Sequence, residues 1–142
     1  MLVKTAKFGD VEINEELIFN FIDPILGYEN LKQFVLLDHS ENSPFKWLQS
    51  VEDANIALPV TVPAFFEIAY EFSIPDEKAE LLEAEATDDI LSFNIVNIPS
   101  GNPQESTVNL LGPVIVNINN KKAIQLVLSD PKFSVREKLF KN

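Results

Sequence analysis

The side chains that most often carry out catalysis or bind metals are sparse in this sequence and do not cluster. Histidine occurs once, as His39 in the loop sequence DHSENSPF, and cysteine does not occur at all. A single imidazole provides no histidine pair for a transition metal, and no nucleophile-elbow pattern surrounds any serine. An enzyme would therefore need His39 to meet a carboxylate in a cleft that only the fold could create.

The adjacent carboxylates Asp88-Asp89 and Glu15-Glu16 also lack the surroundings of a reactive site. The spacing of a calcium loop is absent around Asp88-Asp89, so a turn between a helix and a strand is the simpler interpretation. Glu15-Glu16 lie in a charged turn without the apolar neighbours of a catalytic acid. The four glycines are scattered and build no phosphate-binding loop. These residues favour a binding protein over an enzyme, and they predict no catalytic residue, metal or cofactor.

Charge is distributed unevenly along the chain. Residues 10–89 hold 19 acids and three bases, whereas the two ends together hold three acids and eight bases. A body this acidic repels phosphate, so nucleic acid is not an expected direct ligand. Two interpretations of the acids stay open. They keep the protein soluble, or they steer a basic protein partner towards it.

Composition places the chain among soluble single-domain proteins. It has 142 residues, 46% of them apolar and eleven of them phenylalanine, which is enough for one packed domain over residues 1–142. The N-terminal sequence MLVKTAKFGD lacks the apolar run of a signal peptide, and no stretch approaches the ~18 apolar residues of a membrane helix. We expect a cytoplasmic protein without membrane contact, in agreement with the absence of cysteine.

Period-two alternation of apolar residues predicts several short strands. In YEFSI (70–74) the apolar side chains alternate with Glu71 and Ser73, so Glu71 should be exposed. NIALPVTV (55–62) alternates in the same way, but Pro59 predicts an edge strand or a bulge there. ILSFNIVNI (90–98) loses its phase after the sixth residue, which also indicates a β-bulge.

Turn signals separate these strands. Gly9-Asp10 predicts a hairpin turn, and NNKK (119–122) predicts another in which an asparagine takes the left-handed conformation. DPILGYENLKQ (23–33) has the composition of a turn with one helical turn. In STVNLLGPVIVN (106–117), Gly112-Pro113 predicts a corner between two strand pieces, because proline cannot donate a hydrogen bond inside a central strand.

One segment, SIPDEKAELLEAEA (73–86), favours a helix. Pro75 suits the first turn of a helix, and acids follow it closely. The helix has so few apolar residues that most of its surface must face water. Short strands with turns between them predict an all-β fold, either a sandwich or an antiparallel β-barrel-like domain, with this one short acidic helix.

Four segments, in their order and spacing, resemble the flagellar assembly factor FliW family. The segments are ILGYENLKQFVLLD (25–38), SPFKWLQSVED (43–53), AYEFSIPDEKAELLE (69–83) and STVNLLGPVIVN (106–117), the last followed by KKAIQLVLSD. The likeness runs from about residue 1 to about residue 140. Gly112 departs from the pattern, because alanine is expected there in much of the family. That departure predicts a looser corner.

The resemblance implies a barrel-like monomer in the bacterial cytoplasm with two protein partners. One is flagellin before its export. The other is CsrA, a small basic dimer that represses translation of flagellin mRNA, and FliW antagonises it without competing for RNA. Flagellin that accumulates would occupy FliW and leave CsrA free to repress. Two alternatives stay open, namely a chaperone that binds flagellin only and a β-barrel that binds a small molecule.

Within this framework the sequence indicates two groups of partner-binding residues. The first is a set of acids expected to be exposed and to meet CsrA: Glu67, Glu71, Asp76, Glu77, Glu80 and Glu83. The second is a set of polar residues inside the family segments: Gln49, Ser106, Thr107 and Asn109. Each of these four has a structural alternative, since Gln49 would also suit a buried amide bonded to backbone and the others would also suit turn caps. Val108, Leu110 and Val114 are expected in the core.

Overall fold

The computed structural model describes residues 1–38 and 43–140. The described chain forms eleven strands and one short α-helix, α1 (Asp76–Leu81). The strands are, in chain order, β1 (Leu2–Thr5), β2 (Gly9–Glu12), β3 (Phe19–Asp23), β4 (Gln33–Asp38), β5 (Phe45–Ser50), β6 (Ala57–Thr61), β7 (Ile90–Asn97), β8 (Thr107–Val108), β9 (Val114–Asn117), β10 (Lys122–Gln125) and β11 (Glu137–Lys138). Three 3-10 turns span Glu15–Leu17, Pro63–Phe66 and Pro103–Glu105.

Seven of these strands close into a barrel in the order β3-β4-β5-β6-β7-β9-β10, with β10 returning to β3. The predicted all-β barrel with one small helix is therefore confirmed. Six of the seven pairings are antiparallel, but β10 runs parallel to β3 in the register Lys122↔Asn20 and Ala123↔Phe21. An antiparallel barrel was predicted, but its closure is parallel, a pairing that turn signals cannot reveal because β3 and β10 are not joined by a hairpin.

Large apolar side chains fill the barrel. Phe21, Phe34, Leu48, Phe93 and Val114 are all buried in one cluster. The rings of Phe21 and Phe34 meet edge to face with their centroids 5.2 Å apart. Each such side chain contributes about 1.5–3 kcal/mol when it leaves water, so this interior is the main source of stability. An interior packed in this way argues against the alternative of a small-molecule carrier.

Strand β7 changes its neighbours where the sequence changes phase. Up to Ile95 the strand pairs with β9 and β6, whereas Val96 and Asn97 pair with β8. Phe93 and Ile95 accordingly face the barrel core, and Val96 packs into a second core beside it. The β-bulge predicted after Ile95 is not observed, because β7 keeps its regular alternation and the apolar residues move to its other face, where they serve a second core.

Strand β6 lies inside the sheet and keeps a continuous register with β5, so neither alternative predicted from Pro59, an edge strand or a bulge, is observed. Pro59 lies opposite Trp47 of β5 on one side. On the other side, β7 pairs with β6 only at Val60 and Thr61. The proline is tolerated because the ladder has opened before its missing N–H would be needed.

Both predicted hairpins form, but their turns differ in detail. In the β1–β2 hairpin Thr5 pairs with Gly9, so Gly9 and Asp10 belong to the strand and the turn is residues 6–8. The Thr5 hydroxyl closes this turn by accepting from the Phe8 N–H at 2.7 Å. In the β9–β10 hairpin the left-handed residue is Lys121, with φ 66°, and not an asparagine.

The loop 23–33 and the corner 109–113 connect strands without helix. Loop 23–33 makes two successive turns, closed by Tyr28 N–H to Ile25 and Leu31 N–H to Tyr28, so the expected turn is confirmed without a helical turn. Strand β8 ends before the corner and β9 begins after it, as the Gly-Pro pair predicted. The described residues contain no helix long and apolar enough to cross a membrane.

The helix is shorter than the predicted 73–86, since α1 begins only after Pro75 and ends at Leu81. Leu82 is buried at its end and Glu83 turns left-handed with φ 48°, so the chain leaves the helix at once. The YEFSI strand was also predicted wrongly. Residues 68–75, which we call the strap, alternate in burial but form no sheet pairing.

Candidate functional site

The six acids predicted to meet a basic partner lie on one stretch of chain and are all exposed. We call them the acidic surface; it consists of Glu67, Glu71, Asp76, Glu77, Glu80 and Glu83. Glu67 closes the 3-10 turn Pro63–Phe66 in a left-handed conformation, with φ 59°. The exposure of these six side chains is confirmed, whereas their contact with a partner stays a prediction.

Helix α1 presents the acids because its end is fixed to the barrel. Leu82 is 1% exposed and packs against Ile115, Ile124 and Leu126 on the outer face of β9 and β10. Its carbonyl accepts hydrogen bonds from Asn117 at 3.2 Å and from the amide of Asn120 at 2.8 Å. The helix therefore cannot rotate its acids towards the protein without losing a buried side chain and two hydrogen bonds.

The single base within residues 67–89 is already paired. Lys78 Nζ lies 2.7 Å from Asp23 Oδ2, at the end of β3. The hydrogen bond and charge of Asp23 raise the pKa of Lys78. Of the six acids, Glu83 forms an ion pair with Lys122 at 2.5 Å. The negative field of the acidic surface is thus left largely uncompensated by its own segment.

Asp88 lies in the turn between helix and strand, as its sequence position predicted. Its Oδ2 accepts from the Glu85 N–H and from Asn117 Nδ2, both at 2.9 Å. These hydrogen bonds favour the carboxylate and lower the pKa of Asp88. Asp88 has a structural role in this arrangement, because its oxygen links the end of the helical region to β9.

Tyr70 anchors the strap that joins the 3-10 turn to α1. Its hydroxyl donates to the Leu110 carbonyl at 2.5 Å and accepts from Asn94 Nδ2 at 3.2 Å. Its ring packs on Phe133 with the centroids 4.8 Å apart. Burial raises the pKa of Tyr70, partly offset by the hydrogen bond from Asn94. The strap is held in place by side chains rather than by a backbone ladder.

A second surface is an apolar groove at one end of the barrel, with a volume of about 660 Å³. Its rim carries three apolar side chains that are mostly exposed, Leu26 at 64%, Val127 at 70% and Val135 at 53%. None of the described residues that line it is charged. We define the apolar groove by Leu26, Leu58, Ile98, Leu111, Val127 and Val135. Exposed apolar side chains grouped in one concave site are typical of a protein-binding surface.

Gln125 connects the two sides of the apolar groove. Its Nε2 donates to the Gly112 carbonyl at 3.0 Å, and its Oε1 accepts from the Leu26 N–H at 2.8 Å. A Cβ on Gly112 would lie only 2.8 Å from that Nε2 and 3.0 Å from Asn109 Nδ2. The corner at Gly112 is therefore filled by neighbouring amides, and the predicted loosening is not observed.

The four polar candidates divide between two places. Gln49 is fully buried and donates to the carbonyls of Ser50 at 3.0 Å and Ile56 at 3.1 Å, so the backbone-bonded alternative describes it. Ser106 is also buried, and its hydroxyl donates to the Pro103 carbonyl at 2.7 Å. Neither side chain is an exposed contact, because both are used inside the fold. Thr107 and Asn109 are half-buried and line the apolar groove.

Asn109 also caps its own turn, because its Oδ1 accepts from the Leu111 N–H at 2.9 Å. The predicted core positions Val108, Leu110 and Val114 are confirmed as buried. Sequence reasoning missed the exposed residues Leu26, Val127 and Val135. One available signal was the unbroken apolar run Leu126 to Leu128, which exceeds what a strand with one buried face requires.

Within the part of the chain that the structure describes, no three His, Cys, Asp or Glu side chains are grouped to hold a metal ion. His39 lies outside the described residues, so the contact with a carboxylate that an enzyme would need stays untested. The observed fold and surfaces define a small filled β-barrel whose exposed features are one acidic surface and one apolar groove.

Comparison with known proteins identifies the family within this class. The family model of the FliW protein matches residues 2–139. The Flagellar assembly factor FliW of Treponema denticola is 43% identical over 137 residues, covering 96% of this chain and 91% of the relative. Those of Caldicellulosiruptor saccharolyticus and Thermotoga maritima are 41% and 39% identical, covering 99% and 97% of this chain and 91% and 93% of the relatives.

A crystal structure of the flagellar assembly factor FliW superimposes with a TM-score of 0.90 at 28% sequence identity. The match covers 99% of this chain and 98% of the other. The chain belongs to the FliW family of flagellar assembly factors, as its four sequence segments predicted.

Proposed function

We propose that this FliW-family protein serves flagellar assembly by binding two proteins in the bacterial cytoplasm, CsrA and unexported flagellin. As a monomer it would relieve the repression of flagellin mRNA when it binds CsrA, and lose that effect when flagellin occupies it. The observation that carries the proposal is the presence of two chemically different surfaces on one barrel, the acidic surface and the uncharged apolar groove.

The acidic surface suits CsrA because that partner is basic. Six exposed acids attract positive charge over roughly a Debye length, ~8–10 Å, and so raise the rate of encounter. The same field disfavours a phosphate backbone nearby. A FliW protein bound beside the RNA site of CsrA would weaken RNA binding without occupying that site.

The apolar groove suits flagellin because exported subunits carry amphipathic helical ends that pair only in the filament. Such a helix buries one apolar stripe, and the groove offers an uncharged lining with Leu26, Val127 and Val135 at its rim. Covering that stripe in the cytoplasm would prevent premature association of flagellin. A chaperone for flagellin alone is the alternative, and it requires the groove but not the acidic surface.

The test for CsrA reverses three exposed acids together, as Glu71→Lys, Glu77→Lys and Glu80→Lys. Single exposed charges contribute only ~0.2–1 kcal/mol, so a triple change is needed for a clear effect. We expect association with CsrA to slow about tenfold at low salt, with a smaller dependence on ionic strength. Stopped-flow measurements at several salt concentrations give both quantities.

The matched control makes the same change of charge on the N-terminal hairpin and the turn after it, as Asp10→Lys, Glu15→Lys and Glu16→Lys. These three side chains are also exposed. The control should slow association far less. Normal CsrA binding and normal release of RNA by a folded triple variant would show that the acidic surface is not the regulatory one.

The test for flagellin is isothermal titration at several temperatures. We expect binding with 1:1 stoichiometry and a negative heat-capacity change, since burial of apolar surface in the groove produces that change. Binding without a heat-capacity change would argue against the apolar groove. If flagellin binds but CsrA from the same bacterium does not, the chaperone alternative holds.

A further inference from the structure

The strap contains a run of backbone without hydrogen bonds to the described chain. From residue 69 to residue 74, neither N–H nor C=O groups pair with any described residue. The run nevertheless has the alternation of a strand, with Tyr70, Phe72 and Ile74 half-buried and Glu71 and Ser73 exposed. A strand-like segment without a ladder leaves its backbone groups available to a new neighbour.

Side chains keep the strap in this extended form. Tyr70 is fixed by its hydrogen bond to Leu110 and by ring contacts with Phe72 and Phe133. Phe72 and Ile74 pack against the cluster around Leu82. The conformational entropy of ordering the segment is therefore already lost in the free protein, so a ligand that pairs with it does not bear that cost.

A cleft lies beside the first half of the strap. It has a volume of about 450 Å³ and is lined by Ile68 to Glu71 on the strap and by Leu110, Lys132 and Phe133 across from it. Neighbouring strands are ~4.8 Å apart, so an added strand needs free space along one side of the segment. The cleft supplies such space next to unpaired backbone.

The charges near the strap select the ligand. Glu71 is exposed on the strap, Glu67 is exposed just before it, and Asp76 follows at the start of α1. Between residues 67 and 77 no base is present. Across the cleft, Lys132 lies 3.6 Å from Asp130, and Glu137 adds a further acid. A strand added here therefore meets more acids than bases, which favours lysine or arginine at alternate positions and repels a nucleic acid backbone.

We propose that residues 69–74 form an open strand that binds an extended, basic segment of a protein partner by strand addition. This inference rests on the proposed binding of a basic protein to the acidic surface and specifies the form in which that protein is recognised. Backbone hydrogen bonds would provide affinity, and Glu67 and Glu71 would provide the preference for positive side chains.

The test uses a soluble probe, a capped peptide of ~8 residues that alternates lysine with the strand-forming residue threonine. Amide hydrogen exchange is measured by NMR with and without the peptide. Strand addition protects alternate amides, either 69, 71 and 73 or 70, 72 and 74, because successive N–H groups of a strand point to opposite sides. A lysine–alanine peptide of equal charge, which favours helix, is the control.

Unchanged exchange at 69–74 with the lysine–threonine peptide at ~1 mM, a concentration that suits a short weak ligand, would overturn the inference. So would equal protection by the helical control or protection of consecutive amides. The double variant Glu67→Gln and Glu71→Gln should weaken the peptide about fivefold, since two exposed charge contacts are lost. Glu15→Gln with Glu16→Gln should not weaken it, and equal weakening by both pairs would contradict the proposed charge preference.

The same exchange measurement with CsrA separates this inference from the proposed function. Binding of CsrA without protection of the strap would contradict strand addition while the proposed function stands. Alternate protection by the peptide without any binding of CsrA would contradict the proposed partner and leave the open strand established.

Discussion

The acidic surface and the apolar groove differ in how the chain builds them. The acidic surface comes from one continuous stretch, residues 67–83, which contains the strap, α1 and the residues next to them. The groove is assembled from parts of β5, β6 and β7, the loop after β3, the corner before β9 and the segments on either side of residue 130. The comparison shows that a charged surface is local and tolerant of change, whereas a concave apolar surface depends on tertiary contacts.

The two surfaces also differ in the step of binding that each controls. Exposed charges act mainly on the rate of association, while buried apolar contacts act mainly on the rate of dissociation. A protein that binds one partner quickly and then exchanges it for another benefits from separate surfaces of these two kinds. A change confined to one surface should therefore affect one partner more than the other.

A charge placed in the apolar groove should have the largest effect. Val127→Asp puts a carboxylate on an uncharged lining at a side chain that is 70% exposed, so folding should be unaffected. We expect flagellin binding to weaken at least ~30-fold, the loss of one strong contact, and CsrA binding to be retained. Leu91→Asp, at an exposed residue outside the groove lining, is the control. Equal loss of both partners with Val127→Asp would show that the two surfaces are one site.

Removal of the Tyr70 hydroxyl should have the next largest effect. Tyr70→Phe deletes the hydrogen bond to the Leu110 carbonyl and leaves that acceptor unsatisfied. We expect the free energy of unfolding in urea to fall by ~1–2 kcal/mol. Tyr28→Phe is the matched control, with an expected change within ~0.5 kcal/mol. A loss of flagellin binding in the folded Tyr70→Phe variant would show that strap and groove depend on each other.

Gly112→Ala should have a moderate effect confined to the groove. The new methyl displaces the Gln125 amide and breaks its link between Gly112 and Leu26. We expect a cost of ~1 kcal/mol and faster hydrogen exchange at the Leu26 amide. In a Gln125→Ala background the same substitution should cost much less, because the obstructing amide is gone. An unchanged Leu26 amide in the single variant would contradict this role for Gln125.

Acid titration should have the smallest effect on stability, and it should reveal the part of that effect that comes from the Asp88 carboxylate. The pKa of Asp88 is lowered below its ordinary value of 3.8 in the folded protein. Its contribution to stability is therefore fully present above the unfolded pKa and is lost as the pH falls through the folded one. We expect Asp88→Asn to lose less stability than the parent over that range, measured by urea unfolding. Parallel acid profiles would contradict the assignment.

The sequence could predict features that depend on residues close together along the chain. The change of phase after Ile95 marked a real change of environment, although the structure shows one regular strand serving two cores there and not the predicted bulge. Exposure of Glu71 followed from alternation alone. Alternation cannot reveal whether a ladder partner exists, which is why the strap was predicted as a strand. Pro59 was assigned to an edge strand or a bulge for a related reason, since the early end of pairing with β7 depends on tertiary structure.

The candidate site divides in the same way. The acids of the acidic surface could be predicted because the charge of a side chain follows from its residue type alone. Leu26, Val127 and Val135 could not, because each is an ordinary apolar residue until the fold brings distant segments of the chain to one groove. Gln49 had two equal interpretations, and only its burial against the carbonyls of Ser50 and Ile56 decides between them.

The parallel pairing of β3 with β10 has a consequence for the time at which the protein becomes folded. Leu26 and Gln125, joined by a hydrogen bond beside this pairing, are 99 residues apart in sequence. Closing a chain loop of that length costs about 4 kcal/mol of entropy before the contacts form. At a synthesis rate of ~5–20 residues per second, β3 keeps one edge open on the ribosome for roughly 5–20 seconds. During that interval the nascent barrel exposes an unpaired strand edge that needs protection from other chains.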